Sequence, residues 1–145
     1  MGYVCEKKGT YKGYKYSVCM MDLGHRCGYV GVPKGHPLYG KDSGDNDAYF
    51  IDCHGGLTYS TSNVGSSYPI KEENELWWFG WDYGHYMDGK DYEGMAKNFG
   101  KDVAERSRIW DAGFYDDFFV YYPNDVENDC KFVIEQIVER YGEVK

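Results

Sequence analysis

The segment LWWFGWDY, from Leu76 to Tyr83, constrains the fold more than any other stretch. Alternate residues of a strand point to opposite faces. Trp77, Phe79, Trp81 and Tyr83 therefore share one side, and Trp78, Gly80 and Asp82 share the other. A segment this apolar reads as a central strand, and its tryptophans read first as core. The C-terminus supplies a cover for such a sheet. Val126, Cys130, Val133, Ile134, Ile137, Val138 and Tyr141 recur at helical spacing and mark one apolar face. Asn124 followed by Glu127 has the spacing of a capping box, and Gly142 is placed to close the helix. The expected architecture is α+β: an antiparallel β-sheet with a C-terminal amphipathic helix packed on one face. A length of 145 residues fits a single domain, 1–145, large enough to bury a core without staples.

Further elements follow from period and punctuation. GYKYSVCMM alternates with period two, Asp22 to His25 supplies a turn, and RCGYVGV resumes the strand to Pro33. Gly28 and Gly31 within it predict a bulge or the close approach of another backbone. Pro33 to Asp47 is a long polar loop of the kind that often carries function. AYFIDC, Ala48 to Cys53, predicts a strand, LTYS resumes after two glycines, and Thr61 to Glu75 predicts a second polar loop. Beyond Gly89 the period changes. DYEGMAKNF predicts a short helix broken at Gly100, KDVAERSRIW predicts another, and FYDDFFVYY suits a strand or a packed loop.

Composition narrows the function. The net charge of −8 leaves no basic surface to displace counterions, so duplex nucleic acid is not an expected partner. Sixteen tyrosines suit a sheet-rich core and also pockets that stack flat rings. The five cysteines include no C-x-x-C pair, which argues against a zinc ribbon or a thioredoxin-type motif. They read as reduced, mostly buried thiols of a cytoplasmic protein. The first seventeen residues lack the apolar core of a signal peptide, and no apolar run is fit to span a bilayer. No membrane partner is expected.

The residues that could carry chemistry gather near two glycines. On the predicted strand Asp52 and His54 share a face, beside Gly55 and Gly56, with Thr58 just beyond. A neighbouring carboxylate raises imidazole basicity and selects its tautomer. Asp82 ends the central strand, His85 follows after Gly84, and Asp88 lies three residues on. If the two strand ends adjoin, His54, His85, Asp82 and Asp52 converge in a set that suits a divalent metal or general acid–base work. No standard metal or phosphate motif is present, and no metal or cofactor is assigned. His36 and Tyr39 sit in KGHPLYG, where Tyr39 is placed to act as a stacking face or lid and His36 equally suits a rigid turn. Trp78, on the same face as Asp82, is the tryptophan placed to sandwich a base. His25, in a hairpin turn, carries no special signal. Cys53 adjoins His54 but would point to the opposite face, so the two form no nucleophile–base pair on a regular strand.

CGYVGVPKGHPLYGKD, HGGLTYS and WWFGWDYGH together resemble the signature of a family of small phage-encoded proteins. The family pattern runs H-P-x-Y-G, H-G-G-L-T, W-W-x-G-x-D-x-x-H and then an acidic residue. His36, Tyr39, His54, Gly55, Gly56, Thr58, Trp78, Asp82, His85 and Asp88 match it, while Tyr83-Gly84 stands where the family has a Cys-Ala-like pair. The resemblance implies a viral protein in the cytoplasm of an infected host cell. It suggests counter-defence by sequestering a small nucleotide-derived immune signal, a cyclic ADP-ribose variant or a cyclic dinucleotide, in a homodimer or higher oligomer. On that reading His36, His54 and His85 contact phosphate, Asp82 and Asp88 hold hydroxyls, and Tyr39 and Trp78 stack. Two alternatives stand beside it. One is a phosphodiesterase or nucleotide hydrolase using His54, His85 and Asp82. The other is an inhibitor that docks a host protein on its aromatic surface.

Overall fold

The computed structural model describes residues 2–62 and 75–145. Among these residues, five strands form one antiparallel sheet: β1 (Tyr3–Tyr11), β2 (Tyr14–Met21), β3 (Arg26–Pro33), β4 (Tyr59–Ser62) and β5 (Leu76–Asp82). Their spatial order is β1-β2-β3-β5-β4. Three helices follow: α1 (Tyr92–Phe99), α2 (Lys101–Asp111) and α3 (Pro123–Tyr141). The class is α+β, with α3 laid across one face of the sheet. Its stripe of Val126, Cys130, Val133, Ile134 and Ile137 is buried against Val18, Val30, Phe79, Trp81 and Tyr83. No helix among the described residues is long and apolar enough to cross a membrane.

The expected β2–β3 hairpin is present, closed by the Met21 N–H on the His25 carbonyl at 2.9 Å. β1 carries too many charges to show an apolar alternation, as edge strands commonly do. It joins β2 through Lys12 and Gly13, both at positive φ, the geometry of a two-residue hairpin turn. A bulge between Cys5 and Lys7 interrupts its register at Glu6, which accepts from buried Arg26 at 2.7 and 3.0 Å.

The glycines of β3 do not mark a bulge. β3 and β5 stay in register throughout, and each glycine faces an aromatic residue across the pair: Gly28 with Trp81, Gly31 with Trp78, and Tyr29 with Gly80. The ring fills the space above its glycine. What approaches closely is a side chain rather than a backbone. β5 lies between β3 and β4, and its two faces divide as the alternation predicts. Phe79 and Trp81 pack under α3, and Trp78 packs with Cys19, Cys27, Tyr29 and Leu76 on the other side.

Helix α3 begins two residues earlier than the Asn124–Glu127 spacing predicts. Pro123 opens it with a preset φ, and the Asp125 carboxylate accepts from the Tyr122 N–H at 2.8 Å. Glu127 instead accepts from Tyr16 at 2.6 Å and Lys7 at 3.1 Å, fastening α3 to the first hairpin. Gly142 ends the helix as expected. The break between α1 and α2 falls at Gly100, and FYDDFFVYY is a loop of turns with a single bridge from Phe119 to Asp88, its rings half-buried or exposed rather than packed in the core. Of the predicted loop Thr61 to Glu75, Thr61 and Ser62 belong to β4, and residues 63–74 lie outside the described set.

The strand expected over Ala48–Cys53 does not form. Residues Asn46–Ala48 make a short 3-10 turn capped by Asp45, and Ala48 and Ile51 are the buried pair, a spacing of three rather than two. The place beside β5 is taken by β4, and no described strand pairs with this segment. Its backbone finds an amide elsewhere. The Asp52 N–H donates to Gln136 Oε1 on α3, and Gln136 Nε2 donates to the Asp52 carbonyl, each at 2.7 Å.

Candidate functional site

The chain leaving β5 is shaped by its own side chains. Asp82 Oδ1 accepts from the Gly84 N–H at 2.9 Å, an Asx-type turn. Tyr83 stays pinned to β3, its N–H on the Arg26 carbonyl at 3.0 Å. A second turn spans His85 to Asp88. The Asp88 N–H donates to the His85 carbonyl, while Asp88 Oδ2 accepts from the His85 N–H, both at 2.9 Å. Met87 within it adopts a φ of 73°, a conformation that costs a non-glycine residue energy.

A different segment brings His54. The turn Cys53–Gly56 closes with the Gly56 N–H on the Cys53 carbonyl at 3.0 Å. It lays the His54 ring on Tyr83, with centroids 4.6 Å apart and planes 20° from parallel. Tyr121 packs against it at 4.7 Å. His54 Nε2 lies 2.9 and 3.1 Å from the two oxygens of Asp88, a carboxylate only 7% exposed. His85 Nδ1 stands 3.5 Å from Asp88 and 3.7 Å from Asp82. Gly55 explains the glycine pair: at φ 71° it passes so close to His85 that a Cβ would collide with the imidazole. Ligating atoms of His54, His85 and Asp88 all lie within 4.8 Å of one another.

The platform beneath is neutral and fixed. Burial, with the Asp129 carboxylate beside it, pushes the Tyr83 phenol above its usual range. It stays protonated, donates to Asp129 and accepts from Trp81 Nε1 at 3.0 Å. Tyr121 is also raised, chiefly by burial.

Beside this cluster opens a cleft of about 410 Å³, walled by His25, Tyr83, His85, Tyr86, Asp88, Lys90, Phe114 and Tyr115. That size is within the range of small-molecule sites. Lys90 is held by Asp111 at 2.9 Å and lies over the Tyr115 ring at 4.8 Å. Burial lowers the His25 pKa, favouring a neutral imidazole on this wall.

Of the residues singled out in the sequence, His54, His85, Asp88 and Gly55 meet here, with Gly56 closing the turn and Asp82 at the margin. The others do not. His36 sits beyond Pro33, at the opposite end of β3 from Asp82. Its Nε2 meets the Tyr14 hydroxyl at 2.9 Å and its Nδ1 accepts from the Leu38 N–H at 3.0 Å, so it serves the rigid turn. Tyr39 packs on Trp77 at that same end. Trp78 is on the far face of the sheet and 1% exposed, closed to a stacking ligand. Thr58 is exposed and spends its N–H on the Gly80 carbonyl, leading into β4. Asp52 is exposed and tied through its backbone to Gln136; without a strand, it has no shared face with His54. The carboxylate on His54 is Asp88, 34 residues away. Tyr121 and the cleft residues Lys90, Phe114 and Tyr115 are additions from the fold, as are the site positions of Tyr83 and His25; for Phe114, Tyr115 and Tyr121 the visible signal was the aromatic density of FYDDFFVYY.

Fold and site together define an α+β protein with a histidine–aspartate cluster at one end of its sheet and an aromatic cleft beside it. Compared with protein-family models, with curated proteins and with solved structures, the chain matches none.

Proposed function

We propose that the protein binds and sequesters a small nucleotide-like molecule in the cleft between residues 83–90 and 114–115. The observation that carries this reading is the mixed wall of the cleft. Tyr86, Phe114 and Tyr115 supply faces for a base, and His25 and His85 supply ring nitrogens for phosphate or ribose oxygens. The resemblance to small phage proteins supports the choice of ligand, a cyclic ADP-ribose variant or cyclic dinucleotide that signals host defence. Action in the cytoplasm of an infected cell, and assembly as a homodimer or higher oligomer, belong to the same proposal.

A second reading, hydrolysis of that ligand, is favoured by one contact. His54 Nε2 lies on Asp88 at 2.9 Å beside His85, an arrangement suited to general acid–base work on a phosphodiester. Asp82 is less suited to this chemistry, because its Oδ1 is engaged by the Gly84 N–H.

One experiment separates these readings. The protein is incubated with a panel of cyclic nucleotides, free ligand is removed, and the bound fraction is released by heat and analysed. Intact nucleotide recovered after depletion supports sequestration, and altered product supports catalysis. Depletion of no nucleotide overturns both and favours docking of a host protein on the exposed rings of Tyr86 and Phe114. Undiminished depletion by a His54→Ala, His85→Ala double variant would sink the site assignment.

A further inference from the structure

We infer that His54, His85 and Asp88 form a binding site for one divalent transition-metal ion, independent of which small molecule occupies the cleft. Two imidazoles and one carboxylate are a ligand set that suits zinc, iron or cobalt rather than magnesium or calcium.

The geometry needs little change. Metal–ligand bonds of about 2.0–2.1 Å place ligand atoms about 3–3.5 Å apart. His54 Nε2 and Asp88 Oδ2, 2.9 Å apart, would part slightly around an ion that displaces the proton they share. His85 has to turn inward. Its nitrogen is 3.5 Å from Asp88, longer than a good hydrogen bond, and its side chain is 39% exposed, so rotation gives up little.

The surroundings are those of a held site. Asp88 is oriented by the His85 N–H, and His54 is clamped between Tyr83 and Tyr121. Such outer contacts fix ligand orientation in metal centres. Gly55 clears the volume in which the His85 ring sits.

Charge points the same way. Asp88 is buried, and among the described residues its ion-pair partners are the two imidazoles alone. Lys90, two residues away, is committed to Asp111. A buried carboxylate without a permanent cation is costly, and a divalent ion would supply one. With three protein ligands and His85 on the cleft wall, the remaining coordination position would face the cleft, where an oxygen of a bound molecule could complete it.

Cobalt(II) titration of the chelator-stripped full chain tests this. The expected result is one ion per chain, visible d–d bands, displacement by zinc, and a melting temperature that rises with zinc but not with magnesium. His85→Ala and Asp88→Asn, each checked for folding by circular dichroism, should weaken cobalt binding at least about tenfold. A Cys5→Ser, Cys53→Ser variant should bind like the parent. No saturable binding, equal affinity in both ligand variants, or near-ultraviolet thiolate charge-transfer bands would each overturn the assignment.

Discussion

The imidazole of His85 occupies the space where a side chain on Gly55 would have to stand. Two segments that are far apart in sequence thus meet with backbone against ring, which brings His54 within reach of Asp88.

Gly55→Ala should therefore cost more than its backbone conformation alone. Both Gly55 and Gly56 have positive φ, 71° and 81°, but nothing lies within 4 Å of a Cβ on Gly56. Gly56→Ala should lose about 1–2 kcal/mol from the left-handed conformation. Gly55→Ala should lose more, and should also displace His85. Urea denaturation of the two variants measures the difference; equal losses would mean that the His85 contact carries no weight.

Arg26 is the structural anchor nearest the site. It is 2% exposed and pairs with Glu6 at 2.7 Å and Asp91 at 2.9 Å, and its Nη1 donates to the Tyr121 carbonyl at 3.0 Å. Arg26→Met would leave two partly buried carboxylates without their cation, at a cost of about 3–5 kcal/mol. It should also loosen Tyr121 and with it the His54 clamp. Equilibrium unfolding reads the first effect and the nucleotide depletion assay the second. A loss below about 1 kcal/mol would show that Glu6 and Asp91 find other partners.

Acid should release α3 from the first hairpin. The hydrogen bond from Tyr16, aided by Lys7, holds Glu127 below the ordinary glutamate value of 4.5. A folded-state pKa below the unfolded one gives stability that is present above pH 4.5 and lost as pH falls through the folded value. Glu127→Gln should cost about 1–2 kcal/mol at neutral pH, and the gap to the parent should close below pH 4.5. Denaturation midpoints followed from pH 7 to pH 3 test this; a constant gap would contradict it.

Much of the fold was legible because it is written in local periods. The alternation of GYKYSVCMM and LWWFGWDY marked β2 and β5 and assigned Trp81 and Trp78 to their correct faces. The seven-residue stripe marked α3, whose apolar face is buried on the sheet. β1 escaped notice because its edge position tolerates Glu6, Lys7 and Lys8, which erase the alternation. AYFIDC misled for the converse reason. Its composition suits a strand, but the place beside β5 goes to β4, and the backbone of this segment is held instead by Gln136 on α3.

The site divides along the same line. By itself the sequence determined which residue types are available, that Gly55 and Gly56 accompany His54, and that Asp88 lies three residues beyond His85. These are properties of near neighbours. Tertiary structure alone decided that the carboxylate on His54 is Asp88 and not Asp52, and that His36 and Tyr39 lie at the opposite end of the sheet. It also decided that Trp78 faces away and that Tyr83 and Tyr121 hold the imidazole between them. Those outcomes depend on which strand takes the edge of β5 and on where α3 offers Gln136 to the passing backbone. Both are contacts between distant segments, which local spacing does not encode.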